Sequence, residues 1–581
     1  MSTTWRHDLS YFLALATDFD GTIAHHGIVS AETHGALAQF KQTGRRLILV
    51  TGRDLPDLKR VFPELQLFDR VVAENGALIY DPATNEELPL AAAPPSLFVE
   101  KLKERNVVPL SVGRSIVATW EPNEATVLEV IRELGLELQI IFNKGAVMVL
   151  PTGMNKAVGT KAALNELELS ANNVVAVGDA ENDHAFLRAC GCSAAVANAL
   201  PSVKETADIR LSGDHGAGVI ELVEMICRED ARIIPPERHG ILIGEEQDKK
   251  KVYLESYRGS VLIAGSSGIG KSTLATALTE GMVEKQFEFC IFDPEGDYDE
   301  LADAVAIGDA ESPPNPDEVL KLLRKVGANV VVNTQALEMP ERPLFFAKLL
   351  PQISALRARI GRPHWLLIDE AHHLLPASRE DVAKVRPEDI SAAVFITVHP
   401  KAVSPNALKT VETVIALGEG ARDTIAAFCQ AVGIKTPTGM PGPGEDEVLL
   451  WTRGVGQSPR LMKPVRPRQA HRRHTRKYAE GELGEDLSFY FRGPDNALNL
   501  RAQNLMLFLQ IAQGVDDRTW EHHLRAGDYS SWFRRAIKND ELAREAAEVE
   551  IDRSLQPRES RKGISDAVSR RYTTPARGNT A

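Results

Sequence analysis

Cysteine is scarce in this chain: there are five among 581 residues, an odd number, and Cys190-Gly191-Cys192 has no second Cys/His pair at zinc-site spacing. That argues against a disulfide framework or a zinc module and fits a reducing cytoplasm, with the thiols serving as small buried side chains. Apolar runs of membrane-spanning length are also missing, and the start Met1-Ser2-Thr3-Thr4-Trp5-Arg6-His7 lacks the form of a signal peptide. A cytoplasmic protein with no membrane partner is therefore expected. Positive charge is in deficit, 67 Lys and Arg against 80 Asp and Glu, a net of −13. The molecule as a whole is thus not a basic nucleic-acid binder, and any such role must come from a local patch. No internal repeat is visible.

What is present is ordinary globular composition, 43% hydrophobic and 25% charged, in a chain too long for one core. Strand-like runs alternate with helical stretches from Tyr11 to about Cys227 (Tyr11–Thr17, Arg46–Thr51, Arg70–Ala73, Val174–Gly178). That pattern predicts an α/β domain with a mostly parallel sheet. Residues 82–150 interrupt it with a small α+β pattern, read as a cap over the sheet's functional edge. A charged connector, Arg228 to Pro236, leads to a second α/β pattern that runs to about Pro464. Residues 453–477 hold nine Lys/Arg and no acid, either a solvated linker or a patch for DNA or RNA. Beyond it the sequence predicts a small all-α module, with helices such as Leu498–Gln513 and Ser531–Ile551, and then a disordered tail. Phe489-Tyr490-Phe491, Trp520 and Trp532-Phe533 read as the module's core.

Two residue sets carry chemistry. In the first, Asp18 ends an apolar strand, where open α/β sheets bind ligands at their carboxyl edge. Asp20 follows two residues on, and Gly21 allows a turn that brings the pair to one site. Phosphoryl transfer needs a nucleophile, a proton donor and charge neutralisation, and two such aspartates can divide the first two tasks. Thr51 ends the next strong strand, Lys156 opens a helix after Pro151-Thr152-Gly153-Met154-Asn155, and Asp179 and Asp183 follow Val174-Val175-Ala176-Val177. In this order the set resembles the haloacid dehalogenase superfamily, in its Cof-like, phosphoglycolate phosphatase-like branch with an α+β cap. Ala73-Glu74-Asn75-Gly76-Ala77 resembles that branch too. The resemblance implies an aspartyl-phosphate on Asp18, general acid/base action by Asp20, and phosphoryl binding by Thr51 and Lys156. It also implies a Mg²⁺ site at Asp18, Asp20 (through its carbonyl) and Asp179, supported by Asp183. The substrate is a small phosphorylated molecule, for which Arg114 and Lys144 are candidate anion contacts.

In the second set, the strand Val261-Leu262-Ile263-Ala264 runs into Gly265-Ser266-Ser267-Gly268-Ile269-Gly270-Lys271-Ser272 and a helix. Glycines let backbone N–H groups wrap a polyphosphate, Lys271 reaches the terminal phosphates, and Ser272, followed by Thr273, can ligate Mg²⁺. The strand ending in Asp369-Glu370 supplies one acid for Mg²⁺ and one to orient the attacking water. With Asp293-Pro294-Glu295-Gly296, Asp369-Glu370-Ala371-His372-His373 and Thr397-Val398-His399, this resembles the HerA/FtsK class of P-loop ATPases, with a RecA-like fold. It implies bound ATP, a hexameric ring and handling of DNA. Val398 stands where that class usually has glutamine, so His399 is a candidate γ-phosphate sensor; Arg422 is the candidate arginine acting across subunits.

The expected organisation is a haloacid dehalogenase Rossmann-like domain over 1–228, the ATPase domain over 229–465, a basic linker over 466–480, the helical module over 481–556 and the tail over 557–581. Two functional readings stay open: a phosphatase joined to a DNA-motor-type ATPase, and a small-molecule phosphatase whose P-loop domain only assembles and switches it. A third, in which the N-terminal domain merely senses a phosphorylated ligand, leaves Asp20 without a task.

Overall fold

The structure is a computed structural model. It describes residues 10–572 apart from 144, 256–258, 267–268, 300, 380–389, 391, 445, 455–457, 469–482, 484–486 and 538. Residues 1–465 and 466–581 form two compact units, taken separately below.

The first unit contains two large sheets. In the N-terminal sheet the strands run in the order Ile209–Arg210, Cys192–Ala195, Val174–Gly178, Ala14–Asp18, Arg46–Val50, Arg70–Ala73, all parallel, and the hairpin Leu78–Asp81 and Glu86–Pro89 extends it antiparallel. The central strands are buried on both faces, which is why they read as unbroken apolar runs rather than alternating ones. Asp18 and the residues after Gly178 thus leave the sheet at the same carboxyl edge.

The cap has its own antiparallel sheet, ordered Leu138–Asn143, Ala146–Pro151, Val117–Trp120, Ser111–Val112. The helices Ser96–Glu104 and Glu124–Glu133 cover it through Phe98, Leu102, Val127 and Val130. Because Glu86–Pro89 pairs into the main sheet, the inserted fold begins later than residue 82. Ile116, Met148, Leu150 and Met154 form an apolar patch with Ala77 of the main domain.

The second sheet has a parallel part ordered Val411–Leu417, Ser260–Ala264, Ala393–Thr397, Trp365–Ile368, Phe289–Asp293, Val330–Asn333, Val305–Ile307. Antiparallel strands Val448–Thr452, Arg460–Pro464, Ile241–Glu245 and Lys251–Leu254 extend it beyond Val411–Leu417. Part of the basic stretch is therefore sheet: Arg460 pairs with Glu246, and Arg453 donates to the carbonyls of Lys409 and Val411. Its residues from 469 onward lie outside the described residues.

The two sheets of the first unit meet at the amino ends of their strands. Tyr11 Oη donates to His239 Nδ1 (2.8 Å), and His239 Nε2 bonds Gly191 O. The Phe287 ring is packed edge-on between His239 and His364. Arg362, fully buried, donates to Glu288 Oε2 (2.9 Å) and to the carbonyls of Glu168 (2.8 Å), Arg324 and Lys325. Gly361, at φ 74°, lies so close to Asn173 that a Cβ would stand 2.3 Å from its Oδ1.

Two expectations for the second unit need correction. The module is not purely helical: Phe489–Phe491 and Leu500–Ala502 pair as an antiparallel hairpin, because the alternating aromatics bury Phe489 and Phe491 against Phe508 and Tyr529. Helices Leu505–Gly514, Asp517–Ala526, Asp528–Arg535 and Asp540–Ile551 follow. Nor does the described part of the tail lack structure. Pro557–Tyr572 is a helix that places Ile564, Ala567 and Val568 in the module's core, and Trp520 Nε1 donates to its Ser560 (3.1 Å). The apolar stripe is only those positions at helical spacing, outweighed in composition by arginines and other polar residues. Ile564→Ala is expected to destabilise the second unit by about 3 kcal/mol, measured by urea unfolding with hydrogen exchange read at residues 505–570; an unchanged midpoint shows that the helix is not part of the core.

Candidate active sites

At the carboxyl edge of the first sheet, Asp18, Asp179 and Asp183 bring carboxylate oxygens within 4.8 Å of one another, all buried. Each has a local cause. Asp18 is the last residue of its strand. Asp179 follows Gly178, whose missing Cβ leaves room for the Asp183 carboxylate; a Cβ there would lie 2.6 Å from Asp183 Oδ2. Asp183 Oδ2 accepts from the Asp179 and Ala180 N–H groups (2.8 and 2.9 Å), which folds the loop into a compact cup. Lys156 opens the helix Lys156–Glu166, whose N-cap Asn155 accepts from Ala157 and Val158 N–H. Its Nζ donates to Asp18 Oδ1 and Asp183 Oδ1, both at 2.6 Å, and is 1% exposed.

One buried ammonium thus faces three buried carboxylates. Burial, with the charges of Asp183 and Asp179 and against the pull of Lys156, pushes Asp18 up to about 8. Burial alone would lower Lys156, but Asp18 and Asp183 outweigh it and hold it above its ordinary value. The donor set fits Mg²⁺: it is all oxygen, buried, and carries more negative charge than its lysine balances.

The metal role expected of Asp20 is for its backbone carbonyl. Its side chain does not join the cluster but is gripped by Arg53, Nε to Oδ2 at 2.6 Å and Nη2 to Oδ1 at 2.7 Å, while Arg53 Nη1 reaches Asp57 (2.5 Å). A bidentate guanidinium–carboxylate pair holds both partners in fixed orientation. Arg53 was not singled out from the sequence; its position directly after Thr51-Gly52 was the available signal. Thr51 is buried at the end of its strand, and its Oγ1 accepts from Arg53 N–H (3.1 Å).

Glu74 was likewise unassigned. It lies fully buried at φ 52°, beside Asn75 at the same φ, and its carboxylate accepts the N–H groups of Arg114, Ser115 and Ile116 at 2.7–3.1 Å. Burial pushes its carboxyl up, opposed by those three N–H groups. It ties the loop of residues 114–116 to the carboxyl end of the strand Arg70–Ala73. The Arg114 side chain turns outward to Glu87 (2.8 Å), away from the role of anion contact considered for it, and Lys144 lies outside the described residues.

In the second sheet, Gly265 to Gly270 connects the strand Ser260–Ala264 to the helix Lys271–Glu284; Ser267 and Gly268 fall outside the described residues. Gly270, at φ 96°, is the N-cap, and Lys271 Nζ donates to the Gly265 and Ser266 carbonyls (2.9 and 2.8 Å). Ser272 and Thr273 stand half-buried in the first turn. Asp369 is buried at the end of Trp365–Ile368, two strands from the loop's own, and Glu370 follows at φ 40°. Asp293, also at this edge, accepts three backbone N–H groups, from Glu295, Gly296 and Tyr298. His372, which the sequence left without a role, contacts Thr397 Oγ1 (3.1 Å) and Glu370 Oε2 (3.4 Å). Burial and the neighbouring His373 and His399 push it down to about 4. His399 is exposed, its ring 6.2 Å from that of His372, and Arg422 is exposed in the first turn of Ala421–Val432.

Comparison with known proteins agrees with this division. Residues 15–126 and 129–223 match the family described as haloacid dehalogenase-like hydrolase, and residues 240–358 match the central domain of helicase HerA. The second match ends before Asp369. Phosphoglycolate phosphatase 2 of Saccharolobus solfataricus is 28% identical over 223 residues, 37% of this chain and 92% of that protein. Phosphoglycolate phosphatase of Halorubrum lacusprofundi is 30% identical over 219 residues, 36% of this chain and 95% of that protein. A crystal structure of a haloacid dehalogenase-like hydrolase from Bacteroides thetaiotaomicron covers 37% of the chain and 99% of its own, at 18% identity and a TM-score of 0.33. The chain belongs to the haloacid dehalogenase-like hydrolase family through its N-terminal domain. To this it joins a HerA-type domain.

In the metal-free protein, a folded-state value for Asp18 near 8 against 3.8 unfolded means that its contribution to stability is complete below 3.8 and is lost as the pH rises through about 8. Asp18→Asn is expected to raise the metal-free melting temperature, more at the alkaline end of that window than at the acid end, and to abolish stabilisation by millimolar Mg²⁺. A Mg²⁺ shift that persists in the variant places the ion elsewhere.

Proposed function

We propose that the protein is a two-activity hydrolase: a Mg²⁺-dependent phosphatase acting on a small phosphorylated molecule, joined to an oligomeric ATPase of HerA type. The observation that carries the first half is Asp18 at a sheet's carboxyl edge, held by Lys156 against Asp179 and Asp183.

In this reading Asp18 attacks phosphorus, the ester P–O bond breaks, and Asp20 gives its proton to the leaving oxygen. Water then attacks the aspartyl-phosphate, Asp20 takes the water proton, and the bond to Asp18 breaks to release phosphate. Lys156 and Thr51 hold the transferring group and balance its charge. Asp18, Asp179 and the Asp20 carbonyl would hold Mg²⁺, with Asp183 supporting them; the ion supplies charge neutralisation on the phosphoryl oxygens. The Arg53 pairing suits the second step, in which Asp20 acts as base. The relatives named phosphoglycolate phosphatase make phosphoglycolate the first substrate to test, with sugar and nucleotide phosphates beside it.

For the second half, Gly265, Ser266, Ser267, Gly268, Gly270 and Lys271 would bind the ATP phosphates. Ser272, Thr273 and Asp369 would hold its Mg²⁺, and Glu370 would orient the attacking water. A hexameric ring, DNA handling through residues 453–477, and a part in DNA processing or in defence against foreign DNA belong to this reading by analogy with the HerA match. An alternative in which the ATPase only assembles and switches the phosphatase is favoured by one observation, the hydrogen bonds that join the two domains.

Asp18→Asn is expected to lower phosphatase turnover at least about a thousandfold and to leave ATP hydrolysis intact. Lys271→Ala and Glu370→Gln are expected to do the reverse. Turnover of p-nitrophenyl phosphate that survives Asp18→Asn in folded protein rejects the aspartyl-phosphate route. ATPase rates that rise with added DNA and fall with salt support the motor; slow turnover indifferent to DNA supports the switch.

A further inference from the structure

We infer that Asn172 and Asn173 are positioning residues shared by both sites, tying the base of the strand that carries Asp179 to the far ends of the elements that carry Lys271 and Asp369. Nucleotide occupancy then sets the geometry of the carboxylate cluster. The inference rests on the two-activity reading above.

Asn172 Nδ2 donates to two carbonyls, those of Lys285 (3.1 Å) and Gln286 (2.9 Å). These residues immediately follow the helix Lys271–Glu284, whose opposite end is the phosphate-binding loop. A helix of that length is a rod of about 20 Å, so a shift at Lys271 is delivered to the Asn172 contact. Lys285 is itself pinned, its Nζ donating to Glu237 O (2.9 Å) and Arg238 O (3.2 Å).

Asn173, 1% exposed, makes the second tie. His364 Nδ1 accepts from Glu288 N–H (3.0 Å), which leaves Nε2 as the protonated nitrogen, donating to Asn173 Oδ1 (3.1 Å). Burial holds His364 well below its usual titration range, so this tautomer persists. His364 directly precedes Trp365–Ile368, the strand that ends at Asp369. Asn173 Nδ2 donates to Tyr11 O (2.8 Å) and its carbonyl accepts from Leu13 N–H (2.8 Å), at the start of the strand that ends in Asp18. Asn173 itself directly precedes Val174–Gly178, after which comes Asp179.

Both phosphate-handling sites therefore stand on one polar seam, each at the opposite end of short rigid elements. In this structure Lys271 is bonded to its own loop carbonyls. A bound polyphosphate would draw that amine and the first turn toward itself, and the displacement reaches Asn172 through the helix axis. Packed cores pass such small shifts on as changes between discrete arrangements rather than absorbing them.

The test uses the full chain, with the imido analogue of ATP as probe, free Mg²⁺ held constant, and two readouts: turnover of p-nitrophenyl phosphate, and hydrogen exchange at residues 174–183. In the wild type, saturating analogue is expected to change kcat/KM by about fivefold or more, the low end of measured site-to-site couplings, and to alter exchange at Asp179 and Ala180. Each variant is compared with itself with and without analogue, so loss of basal rate does not obscure the result. Asn172→Asp, of equal size but without the N–H donor, is expected to abolish both responses; Asn172→Gln, which keeps the donor, is expected to retain part of them. An equal response in the wild type and Asn172→Asp, or no response in the wild type while the analogue binds, overturns the inference. No turnover of any phosphomonoester, or no analogue binding, instead fails the two-activity reading, and the exchange readout still decides the coupling when only turnover is lacking.

Discussion

A single buried ammonium holds the N-terminal site together. Lys156 reaches Asp18 and Asp183 at 2.6 Å each, from a helix start fixed by Asn155. Without it, three carboxylates would crowd a space closed to water, and charges of like sign in low dielectric do not remain together. With it, negative charge is still in excess, as a site for a divalent cation would require. The loop that carries Asp179 and Asp183 is shaped around the same lysine, and the close approach at Gly178 lets it fold so tightly. Sheet edge, helix start and loop are thus one electrostatic arrangement assembled from three distant parts of the chain.

The second constraint is the back-to-back placement of two parallel sheets. Parallel strands bring their functional residues to the carboxyl edge, and here the two sheets meet at the opposite edge. The carboxylates of the phosphatase-type domain and the nucleotide loop therefore face away from each other, which excludes direct passage of a small molecule from one site to the other. Any communication has to pass through the protein. The seam is suited to that: directional hydrogen bonds cross it from Arg362 to the Glu168 carbonyl, from His364 to Asn173, and from Asn172 to the Lys285 and Gln286 carbonyls. A shift that left one of those groups buried without its partner would cost more than the bond contributes when made.

Much of this was legible in the sequence, for a local reason. Asp18 ends a strand, Asp179 directly follows one and Asp183 lies in the turn after it, while Lys271 and Asp369 follow apolar runs whose burial dictates a strand. What escaped sequence reading depends on distant partners. Asp20 lies close to Asp18 in sequence, but its pairing with Arg53, 33 residues away, is not visible there. Glu74 stands in a segment that carried only a family resemblance, and only the folded cap shows that it receives the backbone of residues 114–116. The helix Pro557–Tyr572 was hidden by composition, since its apolar positions are few and gain their meaning from the core they enter. Asn172 and Asn173 carry no signature, because asparagines at a turn are common and their partners are carbonyls of another domain.

The hold of Glu74 on the cap has an evolutionary corollary. Its carboxylate grips main-chain N–H groups, which every residue except proline offers, so attachment of the lid does not depend on which side chain stands at position 114. Replacements there can change the surface beside Glu87 while the tether survives. A lineage built on this scaffold could vary the outside of its cap without loosening the attachment.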